Sequence, residues 1–384
     1  MNSRARVHRN LFAGVVIAGL AAFLPCVRGW SASSLVLDNA ATPHTGWLYV
    51  VDTRNGDVHS RVLLIDPSDG KVMRSYEAGM YPDIALTPDG SRIYVSSNRA
   101  NANTQLLEGF LEVYDTTSGA LVSRIVNPDT MQATMPVYPT RMAMAPSGKY
   151  IYMLKNHNTP ETTDFYIAAF DTIDNRFLHD HVSIPECHSV LLPTTQDLTL
   201  YVGCMDSGTV REITLSDSTQ PLKHALLNVK GFNLVNRWGA MFLGPDEKHI
   251  GFIARDGSGF MLDLSSETTH DLGNTFTGGK LNGLQVALVS RSQDAVYFAA
   301  GEPRGKIFDF YDQVVKADLT TLATTTTLTT SVPFFSMALS GDGNTLYTVN
   351  PHRATITVVD ASSTRELQRL SPIGQTPIFV VPVP

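Results

Sequence analysis

The stretch Asp83–Asn98 reads DIALTPDGSRIYVSSN. It is a short apolar run ending at Pro88, a polar turn at Asp89-Gly90, and a second apolar run carrying Tyr94. Alternating apolar positions between turn residues mark two β-strands and a hairpin. The same phrase returns down the chain: RMAMAPSGKYIYMLKN from Arg141, SVLLPTTQDLTLYVGC from Ser189, GAMFLGPDEKHIGFIA from Gly239, QVALVSRSQDAVYFAA from Gln285 and SMALSGDGNTLYTVN from Ser336. PIFVVPVP closes the series from Pro377. The starts are 41 to 58 residues apart, a spacing that fits radially repeated β-sheets.

Third strands with their own turns follow most units, as in LEVYDTTSGALVSRI from Leu111 and TITVVDASSTRELQRL from Thr355. The two ends are incomplete in opposite ways. Residues 46–76 supply a second, third and fourth strand but no first. The C-terminus supplies a first strand and nothing after it. The sequence therefore predicts an all-β, seven-bladed β-propeller over 46–384, closed by N-terminal strands pairing with a C-terminal strand, an arrangement that removes exposed sheet edges. Tyr94, Tyr152, Tyr201, Tyr297 and Tyr347 occupy one slot of the repeat, which assigns them to packing between blades. The Asp-Gly and Pro-Asp pairs are turn chemistry.

Residues 1–29 carry Arg4, Arg6 and Arg9, then an apolar run from Leu11 to Leu24, then Val27 and Gly29 at the small-residue positions of a cleavage site. This is the layout of a signal peptide, too short for a membrane span. It predicts a periplasmic protein with an extension at 30–45 and no span after cleavage. Losing the leader's four arginines would move the formal net charge from −7 to about −11. That acidity disfavours nucleic acid as a partner. With charged residues at 17%, 28 Gly and 21 Pro, the composition suits strands and turns.

No GxGxxG, P-loop, HExxH, GxSxG or CxxCH phrase is present, which argues against the common nucleotide, zinc-protease, hydrolase and haem readings. In a propeller the residues entering each first strand ring one mouth of the central channel. Here they include Met80, Tyr81, Arg141, Cys187, His188, Arg237, Trp238, Phe334 and Phe335. Aromatics and arginines are the types that anchor interfaces; they would equally plug a channel. No metal or cofactor site is assigned, and no catalytic set is legible. Of the three cysteines, Cys26 falls in the leader. Cys187 and Cys204 flank one hairpin, where an oxidising compartment favours a disulfide.

VSIPECHSVLLPTTQDLTLYVGCMDSGTVREITL resembles the heavy subunit of the quinoprotein amine dehydrogenases, the methylamine and aromatic amine dehydrogenases. The cysteine spacing carries the resemblance, as does AGMYPDIALTPDGSRIYVSSN with the later strand Leu111–Asp115. The chain departs from the family at FTGGKLNGLQVALV, where a tryptophan and a PGG phrase are expected. The resemblance implies that this chain scaffolds a small disulfide-rich light subunit, two heavy chains with two light. That partner would carry tryptophan tryptophylquinone. It would oxidise a primary amine to aldehyde and ammonia and pass electrons to a blue-copper protein or cytochrome. Met80 and Tyr81 match the family's substrate-entrance loop. An exported YVTN-type binding propeller without activity is the alternative, supported by IYVSSN at Ile93 and LYTVN at Leu346; a propeller lactonase is a third and weaker one.

Overall fold

Alternating apolar strands joined by tight turns build seven separate sheets in the computed structural model, antiparallel but for one two-residue strand. It describes residues 43–384 apart from 54–59, 101–106, 127–141, 159–162, 185–188, 205–208, 217–225, 228–238, 255, 277–280, 282–284 and 302–310. All of these belong to the unit Leu37–Pro384; the leader reading falls outside them. The protein is a seven-bladed β-propeller. The one helical element among the described residues is a 3-10 turn, Arg291–Gln293.

Numbered along the chain, the blades run from inner to outer strand as follows. Blade 1 is Pro377–Pro382, Leu48–Asp52, Ser60–Ile65 and Val72–Ala78. Blade 2 is Met80–Leu86, Arg92–Ala100, Leu107–Asp115 and Leu121–Val126. Blade 3 is Met142–Met144, Tyr150–Asn158, Thr163–Asp171 and Arg176–Ser183. Blade 4 is Ser189–Pro193, Thr199–Cys204, Thr209–Thr214 and Leu226–Leu227. Blade 5 is Gly239–Leu243, His249–Ala254, Ser258–Asp263 and Thr268–Asn274. Blade 6 is Leu288–Ser290, Ala295–Ala300, Tyr311–Asp318 and Thr324–Phe334. Blade 7 is Ser336–Leu339, Thr345–Asn350, Thr355–Asp360 and Arg365–Leu370.

The ring closes as the two incomplete ends require. Leu48–Asp52 pairs antiparallel with Pro377–Pro382, with Tyr49 opposite Val381 and Val51 opposite Phe379. One detail differs from the sequence reading. Gln285 does not begin blade 6. Gln285 and Val286 run parallel to blade 5's inner strand, opposite Ala240 and Met241. The Ala287 N–H donates to the Met241 carbonyl, so the chain leaves blade 5 there and the inner strand of blade 6 starts at Leu288. The alternating pattern is the same on both sides of that step, so periodicity alone cannot locate it.

The core is not one cluster but seven, one at each junction between neighbouring blades. Tyr49, Val62 and Ile84 join blades 1 and 2; Tyr94, Ile151 and Phe170 join 2 and 3. Tyr152, Leu191 and Val202 join 3 and 4; Val190, Met241 and Phe252 join 4 and 5. Phe242, Val296 and Phe298 join 5 and 6; Tyr297, Leu346 and Val359 join 6 and 7. Leu48, Tyr347 and Ile356 close 7 onto 1. A strand presents alternate residues to opposite faces, so each inner strand pair feeds both of its junctions. The tyrosines of the repeat slot face the following blade, as expected from their recurrence. Burying each such ring contributes about 1.5–3 kcal/mol.

Outer turns share one device. Asp66, Asp115, Asp171, Asp263, Asp318 and Asp360 end third strands, and each carboxylate accepts backbone N–H groups two or three residues on. The turn then passes through a left-handed residue, among them Gly70, Gly119, Asn175 and Leu322. Hydrogen bonds to the ionised form hold the carboxyls of Asp115, Asp263, Asp318 and Asp360 low. Asp115 is lowered by the Ser118 N–H and Asp318 by the Thr321 N–H. Asp360 falls to about 2, first through the Ser362 hydroxyl. Carboxyls depressed in the fold contribute stability above the unfolded value, about pH 4, and lose it as pH falls through the folded value. Chemical denaturation at pH 5 and at pH 2.5 is expected to show a clearly lower midpoint at pH 2.5. An unchanged midpoint would remove these turns from the acid response.

Candidate functional site

Second strands run antiparallel to first strands and end where those begin, so entries to the inner strands share one face of the ring with the hairpins between second and third strands. Met80 opens blade 2's inner strand, half-buried, opposite Asn98. Gly79 before it lies so close that a Cβ would stand 2.2 Å from the Asn98 carbonyl oxygen. The register then slips between Met80 and Asp83, a bulge that re-aims the strand's start.

Asp83 follows the bulge, and its chemistry is structural. Its Oδ1 accepts the Ile84 N–H and its Oδ2 the Met142 N–H, both at 2.8 Å. The carboxylate thus ties the inner strand of blade 2 to that of blade 3. A comparable tie joins blades 7 and 1, where the Ser336 hydroxyl donates to the Ile378 carbonyl at 2.5 Å. Asp52 holds the entry to blade 1: it accepts the Gln375 N–H at 2.8 Å, the Thr376 N–H at 2.6 Å and Arg61 Nε at 2.8 Å. Sequence reasoning missed all three. Asp and Ser at strand ends are so common as turn residues that no local signal separates a staple from a cap.

The residues expected at the mouth are placed unevenly. Phe334 ends blade 6's outer strand with its ring enclosed in the core of junction 6–7, 6.0 Å from the Tyr311 ring. It takes the packing role that the sequence also allowed, and not an exposed one. Phe335 is half-buried against the cluster of junction 1–2, and its N–H donates to the Val349 carbonyl. Tyr81 has its backbone in the strand Met80–Leu86, but its side chain is outside the described residues, as are Arg141, Cys187, His188, Arg237 and Trp238. Cys204 ends blade 4's second strand opposite Ser189, is fully buried and is disulfide-bonded. Its partner lies outside the described residues.

Among the described residues, two neighbouring blades have the longest paired second and third strands on this face. The paired strands of blades 2 and 3 are nine residues long, against six in blades 4, 5 and 7. Three extra residues project each hairpin by about 10 Å. Its stem in blade 2 carries Arg99, which donates to the buried Glu112 at 3.0 Å, while Arg124 bonds the same carboxylate at 2.6 Å. Tyr114 donates to the other oxygen of Glu112 at 3.3 Å. Burial and the Glu112 charge push the Tyr114 phenol up to about 12, so this group stays protonated. Among the described residues no group of three or more His, Cys, Asp and Glu is arranged to hold a metal, and no helix is long and apolar enough to cross a membrane.

The fold is shared with several solved propellers. A functionally unknown protein from Desulfotomaculum acetoxidans DSM 771 superposes with a TM-score of 0.61 at 13% identity, over 88% of this chain and 99% of the other. A putative 6-phosphogluconolactonase from Bacteroides fragilis NCTC 9343 gives 0.56 at 12%, over 89% and 99%. The dihydro-heme d1 dehydrogenase NirN gives 0.52 at 16%, over 94% and 78%. At these identities the likeness shows architecture alone. No curated protein matches the chain. The family described as methylamine dehydrogenase heavy chain matches residues 45–233, which hold the N-terminal strands of blade 1, all of blades 2 and 3, and the described strands of blade 4. That match supports the heavy-chain resemblance read from the sequence.

Proposed function

We propose that this propeller is the heavy subunit of an exported amine dehydrogenase, scaffolding a small light subunit on the face where the inner strands begin. The match of the heavy-chain family over residues 45–233 carries the reading. It spans both Cys187 and Cys204 and the entrance residues Met80 and Tyr81. The redox centre, tryptophan tryptophylquinone, would belong to the light subunit; this chain supplies shape and a rigid ring. Met80 suits an entrance wall, because a half-buried thioether on a bulged strand start is apolar and adaptable. The disulfide of Cys204 supports export, since such bonds persist in oxidising compartments.

The test is co-expression with a small cysteine-rich exported chain, followed by dye reduction with primary amines. Amine-dependent reduction by a co-purifying pair is the expected result. Met80→Ala should then change KM and the preference between small and bulky amines by about tenfold, with the complex intact. A chain that purifies alone, with no amine turnover in any pairing, would overturn the proposal.

A further inference from the structure

Blade 2's inner strand begins differently from the way it continues. From Asp83 to Leu86 it pairs residue for residue with Ser96 back to Ile93. Before that, Met80 stands opposite Asn98, so the inner strand holds one residue more than its partner between these two pairs. The extra length falls at Tyr81-Pro82. Pro82 is buried and has no N–H to give to a ladder, which suits it to a bulge. The bulge is fixed on both sides. Before it, Gly79 lies so close to the Asn98 carbonyl that no side chain fits. After it comes the buried carboxylate of Asp83.

That carboxylate reaches the next blade as well. No strand pairing joins the sheets of blades 2 and 3. Blade 3's inner strand is short, Met142–Met144, and its first N–H ends on Asp83 Oδ2 at 2.8 Å. Oδ1 takes the Ile84 N–H at 2.8 Å. One carboxylate therefore sets the place of two strand starts: Met80, just before the bulge, and Met142, the residue after Arg141. The tie between blades 7 and 1 uses a neutral hydroxyl, that of Ser336. Blades 5 and 6 meet through backbone at Met241 and Ala287. Hydrogen bonds to an ionised acceptor are roughly twice as strong as neutral ones, so the spacing of the starts of blades 2 and 3 is firmly held.

We infer that Asp83 is a positioning residue of the entrance: its carboxylate fixes Met80 against the start of blade 3 and so sets the size of primary amine admitted. The inference deepens the amine dehydrogenase reading and rests on it. Asp83 acts through Met80, the half-buried thioether beside the bulge. A methionine side chain is adaptable; it discriminates by size only when its backbone is held in place.

The test uses the co-purified pair with methylamine and phenethylamine as the small and bulky amines. Asp83→Asn sets an NH2 group against one of the two N–H donors, so one of the two bonds is lost. The ratio of KM for the two amines should shift by about tenfold, with kcat unchanged. Asp83→Glu keeps the charge and lengthens the tie by one methylene; it should shift the same ratio with the complex intact. Glu247→Gln is the control. Glu247 accepts the Thr195 N–H at 2.7 Å and its hydroxyl at 2.8 Å, a tie between blades 5 and 4 at the opposite end of the inner strands. Its loss should leave the ratio alone. Peroxide oxidation of Met80, read by peptide mass, needs no turnover. It should quicken several-fold in Asp83→Asn and not in Glu247→Gln. A wild-type pair without amine turnover would overturn the functional reading and the entrance role with it. Turnover with an unchanged ratio in both Asp83 variants would overturn this inference alone. So would an unchanged rate of Met80 oxidation, or the same shift in Glu247→Gln.

Discussion

Asp52→Ala is expected to open the ring at its seam and to lower stability by about 3–5 kcal/mol, the range for removing one partner of a buried, hydrogen-bonded charge pair. Asp52 is fully buried at the end of the strand that pairs with Pro377–Pro382. Its carboxylate holds three groups at once: the N–H of Gln375, the N–H of Thr376 and the guanidinium of Arg61. Two of these belong to the chain's far end, more than 320 residues away. Gly374 makes the approach possible. It adopts φ +67°, and a Cβ there would stand 2.5 Å from the Asp52 carboxyl carbon. Thr53 adds a backbone bond to the Thr376 carbonyl at 3.0 Å. Removing the carboxylate leaves two N–H groups and a guanidinium without their acceptor, each at a desolvation cost.

Denaturant unfolding of Asp52→Ala measures the loss, and amide exchange locates it. Exchange should accelerate first in Pro377–Pro382 and Leu48–Asp52, because the seam is the one blade whose strands are not continuous in sequence. Asp52→Asn keeps an acceptor for the N–H groups but not the charge facing Arg61, so it should fall between Ala and wild type. A loss below about 1 kcal/mol in Asp52→Ala would show that strand pairing alone holds the ring closed.

Gly251→Ala is expected to cost about 3 kcal/mol, the upper end for overpacking a filled core, although it adds a single methyl group. Blade 5 is the exception to the tyrosine slot: HIGFIA has Gly251 where TLYVGC has Tyr201 and AVYFAA has Tyr297. The gap is not empty. Phe242 sits opposite Gly251 on the neighbouring inner strand, and a Cβ on Gly251 would fall 2.1 Å from its ring. The Phe242 ring joins the cluster of junction 5–6, the place a slot tyrosine fills elsewhere. The aromatic group has moved one strand inward while the junction stays filled.

This exchange predicts strong coupling. Phe242→Ala alone should cost about 3–5 kcal/mol through the cavity it leaves. The double change Phe242→Ala with Gly251→Tyr should recover most of that, because the ring returns from the second strand. Non-additivity of 2 kcal/mol or more, roughly the upper range for residues in contact, is the expected outcome of the cycle. Simple additivity would show that the two positions do not share one volume.

Blade number and the closure at the two ends could be read from the sequence, while the start of blade 6 at Leu288 could not. They rest on local alternation, turn residues and repetition, and each of these is written in consecutive residues. The tyrosine slot was readable for the same reason: a side chain recurring at one place in every repeat must meet the same neighbour each time. The heavy-chain resemblance rested on the cysteine spacing and the blade 2 phrase, and the family match over 45–233 bears it out. The site was less legible. Phe334 and Phe335 adjoin in sequence, yet one fills junction 6–7 and the other packs against junction 1–2, because consecutive residues at a strand end point to opposite faces. Asp52 and Asp83 read as ordinary turn acids, and only the ring brings the N–H groups of Thr376 and Met142 to them. By itself the sequence determined how many sheets form and how the two ends close the ring. The tertiary structure alone decided which charged and aromatic side chains hold those sheets together, because such contacts join residues whose separation along the chain carries no pattern.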